Sequence, residues 1–174
     1  ATARAGNVIG GGDWSKDRLI PDVLRSLDTN EAISIRSPLS IRPWQHVLEP
    51  VSGYILLAQK LGENQNKYSE AWNFGPEEND CWTVGRIVTR VCEIAQRGSW
   101  VSPKEDQPHE AGLLKLDSAK AKTNLGWMPR WKVNEALKKT IQWHQKFKSG
   151  DDMYDFSVAQ IMEYQADRKH DESE

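Results

Sequence analysis

Apolar positions recur at helical spacing in five stretches of the chain, and between them lie short β-compatible runs ended by glycine or proline. In "DRLIPDVLRSLDTNE" (17–31), Ile20, Val23, Leu24 and Leu27 share one face, and Pro21 stands in a first turn, where a missing N–H costs nothing. In "EPVSGYILLAQKLG" (49–62), Pro50 stands near the helix start, Val51, Tyr54, Ile55, Ala58 and Leu61 form the predicted inward face, and Gly62 is the stop. "TVGRIVTRVCEIAQRG" (83–98) opens on Thr83, closes on Gly98 and turns Ile87, Val88, Val91, Cys92 and Ala95 inward. "AKAKTNL" (119–125) is capped by Ser118 and ended by Gly126 and Pro129. "NEALKKTIQWHQKF" (134–147) carries a stripe of Ala136, Leu137, Thr140, Ile141, His144 and Phe147. A weaker amphipathic segment, "FSVAQIMEYQ" (156–165), precedes a charged tail, "ADRKHDESE" (166–174), predicted to fray.

The β-compatible runs are "TARAGNVI" (2–9), which empties into Gly10, Gly11 and Gly12, then "AISIRS" (32–37), "EAWNFGP" (70–76), "SWVS" (99–102) and "LLKLD" (113–117). Pro38 and Pro43 bracket a predicted loop. Strands alternating with helices make an α/β protein. The strands are few for a doubly wound sheet and nothing precedes the first one, so the sheet is expected to be incomplete. No internal repeat is visible.

Composition narrows the function classes. Twenty-three basic and 25 acidic residues are mixed along the chain, for a net charge of −2, so no long-range field favours nucleic acid or anionic lipid, and any phosphate must be held by local groups. No run approaches the roughly 18 apolar residues of a membrane span and no signal peptide opens the chain, so a cytoplasmic protein is expected. Cys81 and Cys92 read as buried reduced thiols, and no His/Cys/Glu spacing suggests a metal. Eight tryptophans are many for 174 residues. Core packing accounts for most of them, while Trp14 and Trp44 sit beside polar loop motifs, where an indole can face a ligand.

Four segments taken together, "RAGNVIGG", "IRPWQHVLEPVSGYILLAQKL", "AWNFGP" and "LKLDSAKAKTNLGWMP…EALKKTIQWH", resemble the extended short-chain dehydrogenase/reductases that modify nucleotide sugars. Their order and spacing are those of that family's C-terminal half, up to about residue 148. With "GGGDW", "RPWQHVLEP" and "PHEA", the chain is most similar to the branch of 4,6-dehydratases that act on CDP-sugars. The resemblance implies the C-terminal part of an extended Rossmann-type fold, with a smaller mixed α/β substrate lobe. Residues 1–9 and 47–75 would supply the last strands and helix of the Rossmann-type domain, 10–46 and 76–149 the substrate lobe, and 150–174 a tail. The upstream signatures are absent: there is no G-x-x-G-x-x-G, and no tyrosine is followed four positions later by lysine. The polar "DWSKDR" follows the glycine run instead of an apolar helix, so the run reads as a flexible exit from the sheet and not as a dinucleotide loop.

By the same resemblance, Asn7 hydrogen-bonds the bound sugar nucleotide, with an amide that donates and accepts at once. Arg18 and Arg42 reach its diphosphate, where a planar guanidinium offers paired donors to phosphate oxygens. Asn73, Trp14, His109 and Glu110 complete the expected substrate contacts, although many family members carry an arginine in the loop of His109 and Glu110. Ala3 and Arg4 would supply backbone near the nicotinamide. Arg36 reads as a solvated surface charge, His46 as a packing residue at a helix entry and His144 as core. The implied reaction is NAD-dependent conversion of CDP-glucose to CDP-4-keto-6-deoxyglucose and water, a step of bacterial surface-sugar synthesis, by an enzyme expected to be a homo-oligomer. No catalytic residue is expected in this chain, which alone should be inactive. Another nucleotide-sugar epimerase, dehydratase or decarboxylase, or a binding module without chemistry, are the alternatives.

Overall fold

The computed structural model describes residues 1–103 and 112–167. Two strands open the chain, β1 (Thr2–Ala5) and β2 (Asn7–Ile9), followed by α1 (Leu19–Thr29), β3 (Ile33–Ser34), β4 (Ile41–His46), α2 (Leu48–Glu63) and a one-turn α3 (Gln65–Tyr68). Then come β5 (Ala71–Phe74), a 3₁₀ turn (Glu78–Asp80), β6 (Cys81–Thr83), α4 (Val84–Ala95), β7 (Trp100–Val101), α5 (Ala119–Leu125), α6 (Val133–Ser149) and α7 (Met153–Ala166).

The run 2–9 is two strands, because Gly6 divides it. A Cβ at Gly6 would meet the carbonyl of Pro43, so only glycine lets the chain pass there. β1 pairs in parallel with β5, Thr2 opposite Ala71. β2 pairs in parallel with β4, Asn7 opposite Trp44, and β4 pairs antiparallel with β6, Ile41 opposite Thr83. The short strands β3 and β7 form a third, parallel pair. The described strands thus form three small sheets, none of them closed, as expected of an incomplete sheet.

Pro43 corrects the expectation of a loop, because it lies inside β4. The ladder to β6 ends at Pro43 and the ladder to β2 begins at Trp44, so the residue without an N–H sits where β4 changes partners. "LLKLD" forms no strand. Leu113 makes an isolated bridge to Ile41, and the Asp117 carbonyl accepts a hydrogen bond from Asn73 on β5.

The larger core lies between α1, α4 and α6 and the β2–β4 pair, where Val23, Ile87, Val88, Val91, Ala136 and Leu137 are buried completely. These are the faces that the helical spacing predicts, except that Phe147, at the end of the α6 stripe, is exposed. Thr83 caps α4 through its hydroxyl, but α4 ends at Ala95 on a left-handed Gln96, two residues before Gly98. Cys92 and Cys81 are half-buried free thiols whose pKa burial pushes up. His144 is core, as expected, and its Nε2 meets the Asp28 carboxylate at 3.0 Å.

α2 departs from its predicted face. Val51, Tyr54 and Ile55 are exposed, while Glu49, Pro50, Gly53 and Leu57 turn inward. The cause is Gly53, where a Cβ would enter the Phe74 ring; a bare backbone lets α2 lie directly on β5. α2 also runs past Gly62, which has open space around it, to Glu63. Leu57, Trp72, Phe74, Leu125 and Trp127 form the second core, between α2, β5 and α5. Ser118 does not cap α5: its hydroxyl bonds the Gly75 carbonyl, and Asp117 accepts the Ala119 N–H instead.

The weak segment at 156–165 belongs to α7, a full helix capped by the Asp152 carboxylate. It is anchored by Glu49, which is buried on α2 and accepts the N–H groups of Arg130 and Trp131 together with the Tyr164 hydroxyl. Residues 168–174, where fraying is predicted, lie outside the described residues.

Candidate substrate cleft

Alternation along β4 places Arg42, Trp44 and His46 on one face of the strand, and the parallel register adds Asn7 and Ile9 to that face. This face floors a cleft of about 660 Å3, a volume suited to a small-molecule ligand. One wall is the start of α1, from Arg18 to Leu24; the other is β3 with residues 35–37; Gly10, Asp13 and Asp17 form the rim.

Asn7, Arg18 and Arg42 all line this cleft. Arg42 is buried, 8 % exposed, and one of its Nη atoms donates to the Ile41 carbonyl at 2.9 Å. Arg18 is exposed at the first turn of α1, with Asp13 at 3.7 Å. Burial pushes the Asp13 carboxyl up, but hydrogen bonds from Ser15 and the charges of Arg18 and Arg25 outweigh it and hold the group below its ordinary value. The cleft lining thus combines the guanidinium groups of Arg18, Arg36 and Arg42, the Asn7 amide and the carboxylates of Asp13, Asp17 and Asp22.

The rim loop owes its shape to its glycines, in a way the sequence reading missed. A Cβ at Gly11 would lie within the Trp143 ring, and Gly12, at φ +77°, rests against the same indole. The run is therefore a packed seat, not a flexible exit. Trp14 follows, with its ring 4.8 Å from Phe147 and 6.3 Å from Trp143, while Arg25 bonds the carbonyls of Trp14 and Ser15. This packing keeps Trp14 out of the cleft lining, half-exposed on the α6 aromatics.

Asn73 is not brought to the cleft either. It lies on β5, and its amide donates to the Asp117 carbonyl at 3.1 Å. Ala3 and Arg4 are exposed on β1, opposite Trp72 and Asn73. His109 and Glu110 lie outside the described residues. Conversely, Arg36 lines the cleft. The alternation Ile33 and Ile35 inward, Ser34 and Arg36 outward is visible in the sequence, but nothing local says that the outward side is a cleft wall.

His46 continues the Arg42–Trp44 face and is buried against Trp131, with ring centroids 5.0 Å apart. Its Nδ1 accepts the Leu48 N–H, and its Nε2 has no partner among the described residues. Burial, with the Lys139 charge, lowers its pKa to about 4, so the ring is neutral at physiological pH.

No protein-family model matches the chain. The fold is similar to that of part of several solved nucleotide-sugar epimerases and dehydratases. UDP-glucose 4-epimerase from Thermotoga maritima, solved with UDP-glucose, superposes with a TM-score of 0.68 at 23% identity, over 83% of this chain and 45% of that one. dTDP-glucose 4,6-dehydratase from Bacillus anthracis, solved with NAD, gives 0.65 at 18% identity, over 83% and 44%. In sequence the chain matches CDP-glucose 4,6-dehydratase of Salmonella typhimurium, 52% identical over 165 residues, which are 94% of this chain and 46% of that protein. Mouse dTDP-D-glucose 4,6-dehydratase is 26% identical over 147 residues, 82% of this chain and 40% of that protein. The chain thus spans about half the length of the relatives it matches or less. No helix of the described residues is long and apolar enough to cross a membrane.

Proposed function

We propose that this chain is the nucleotide-sugar-binding portion of a CDP-glucose 4,6-dehydratase, which converts CDP-glucose to CDP-4-keto-6-deoxyglucose and water. The observation that carries the reading is the convergence of Asn7, Arg18 and Arg42 on one cleft in a chain 52% identical to such an enzyme. A buried guanidinium on the floor and an exposed one on the wall meet a diphosphate from two sides. Each charge-assisted bond contributes about 1.5–3 kcal/mol. The Asn7 amide donates to one sugar-nucleotide oxygen and accepts from a hydroxyl. The chemical work of these residues is positioning: they fix a flexible substrate so that its reacting carbons face the catalytic groups.

NAD is the proposed cofactor of the complete enzyme, with a further segment supplying its site. The described residues do not fit a dinucleotide cradle, because the glycine run that follows β2 is packed on Trp143 and leads into a rim loop and not into a helix. The complete enzyme is proposed to be a homo-oligomer of the cytoplasm.

The test uses the complete natural protein that carries this chain. With CDP-glucose it is expected to release a 4-keto-6-deoxy sugar nucleotide, seen by NMR, and Arg42→Ala is expected to weaken CDP-glucose binding at least about tenfold by calorimetry. A 4-epimer as product would assign the chain to an epimerase. Unchanged affinity in the Arg42 variant would remove the diphosphate assignment.

A further inference from the structure

The relatives of this fold differ in the base their substrate carries: CDP, UDP and dTDP sugars all occur among them. A cleft that holds only the diphosphate and the sugar cannot tell these apart. We infer that Arg36 reads the nucleobase and selects cytosine over uracil or thymine. The inference rests on the proposed nucleotide-sugar reading.

Arg36 lines the same cleft as Asn7, Arg18 and Arg42, on the wall made by β3 and the residues after it. Its neighbours hold its backbone firmly. Ile33 and Ile35 are buried, and their N–H groups donate to Ser99 and Val101, each at 2.9 Å; Gly85 then donates to the Pro38 carbonyl at 2.8 Å. Its side chain, in contrast, is exposed and has neither an ion pair nor a hydrogen bond among the described residues. A rigid backbone that presents an uncommitted guanidinium to a ligand cleft is a pre-organised donor.

The other two arginines are placed differently. Arg42 is buried in the floor with one donor on Ile41, and Arg18 stands at the start of α1 beside Asp13. With the diphosphate assigned to Arg42 and Arg18, Arg36 on the wall opposite α1 is left to meet the nucleobase, and its chemistry limits which base. Arginine only donates, through a planar fork of N–H groups. Cytosine presents two adjacent acceptors, O2 and N3, that match this fork. Uracil and thymine carry a hydrogen on N3, which would oppose an arginine N–H.

The experiment measures binding of CDP, UDP and dTDP to the complete natural protein by calorimetry, for the native sequence and for Arg36→Ala and Arg36→Lys. The native protein is expected to prefer CDP. Arg36→Ala is expected to lose about tenfold or more in CDP affinity while UDP and dTDP change far less, so that the preference collapses. Arg36→Lys keeps the charge without the fork and is expected to restore little of the preference. Because Arg36 is exposed, both variants should melt as the native protein does, which excludes a folding defect. Equal weakening for all three nucleotides would mean a charge effect on the diphosphate and overturn the inference. An unchanged CDP preference in both variants would overturn it while leaving the nucleotide-sugar reading intact. If the native protein binds none of the three, that reading fails, and the inference with it.

Discussion

Tyr164 on α7 donates its hydroxyl hydrogen to the Glu49 carboxylate on α2, 2.8 Å away. Glu49 is completely buried, and the backbone N–H groups of Arg130 and Trp131 satisfy the rest of its oxygens. Ser52 and the Trp127 indole extend the network, and Arg130 bonds the Tyr164 carbonyl. One carboxylate thus joins α2, the turn before α6 and α7.

Glu49→Gln keeps one oxygen that accepts the Arg130 and Trp131 N–H groups but replaces the other with an NH2 that cannot accept the donors facing it. Glu49→Gln is expected to cost about 2–4 kcal/mol and Tyr164→Phe about 1 kcal/mol, measured by urea unfolding. Burial raises the Glu49 pKa above its ordinary 4.5, against the pull of its hydrogen bonds. The native state therefore binds this proton more tightly than the unfolded chain does. The stability contributed by Glu49 falls as pH rises from the ordinary value through the raised one, and Glu49→Gln is expected to remove that slope.

His46 gives the opposite dependence. Its folded pKa of about 4 lies below the ordinary 6.5, so the unfolded chain binds the proton first on acidification. Stability is complete above pH 6.5 and is lost as pH falls toward 4, by about 3 kcal/mol at the acid end. His46→Asn keeps an acceptor for the Leu48 N–H and is expected to flatten the melting temperature across this window. An unchanged acid slope would show that His46 is not its source.

Gly11→Ala is expected to destabilise the protein by about 1–3 kcal/mol, because the new methyl would overlap the Trp143 ring. Since Asp13 lies on the same rim and contacts Arg18, substrate affinity should fall with it. Trp143→Leu, which opens the site, should cost less in the Gly11→Ala background than in the native one. Strict additivity of the two changes by thermal melting would contradict the contact.

The helices were legible where their packing follows apolar spacing. Ile20, Val23, Leu24 and Leu27 on α1 and Ala136, Leu137, Ile141 and His144 on α6 are buried as their periodicity requires. α2 failed the same rule because Gly53 and Glu49 face inward there, and neither residue type registers as hydrophobic. Pro43 was unreadable as a strand residue, since the change of partner that tolerates it belongs to the sheet and not to its neighbours in sequence. Motif resemblance pointed to Asn7, Arg18 and Arg42, whereas Asn73 and Trp14 are held by Asp117 and by the α6 aromatics.

By itself the amino-acid sequence determined the α/β alternation, the buried stripes of α1, α4 and α6, and a resemblance to enzymes that modify nucleotide sugars, because these rest on local spacing and on residue identity. Only the tertiary structure decided that Arg36 shares a cleft with Arg42, that Gly11 lies on Trp143, and that Glu49 and Tyr164 meet. Each of these depends on how distant segments cross, and a crossing is set by close packing of whole elements, which no window of neighbouring residues contains.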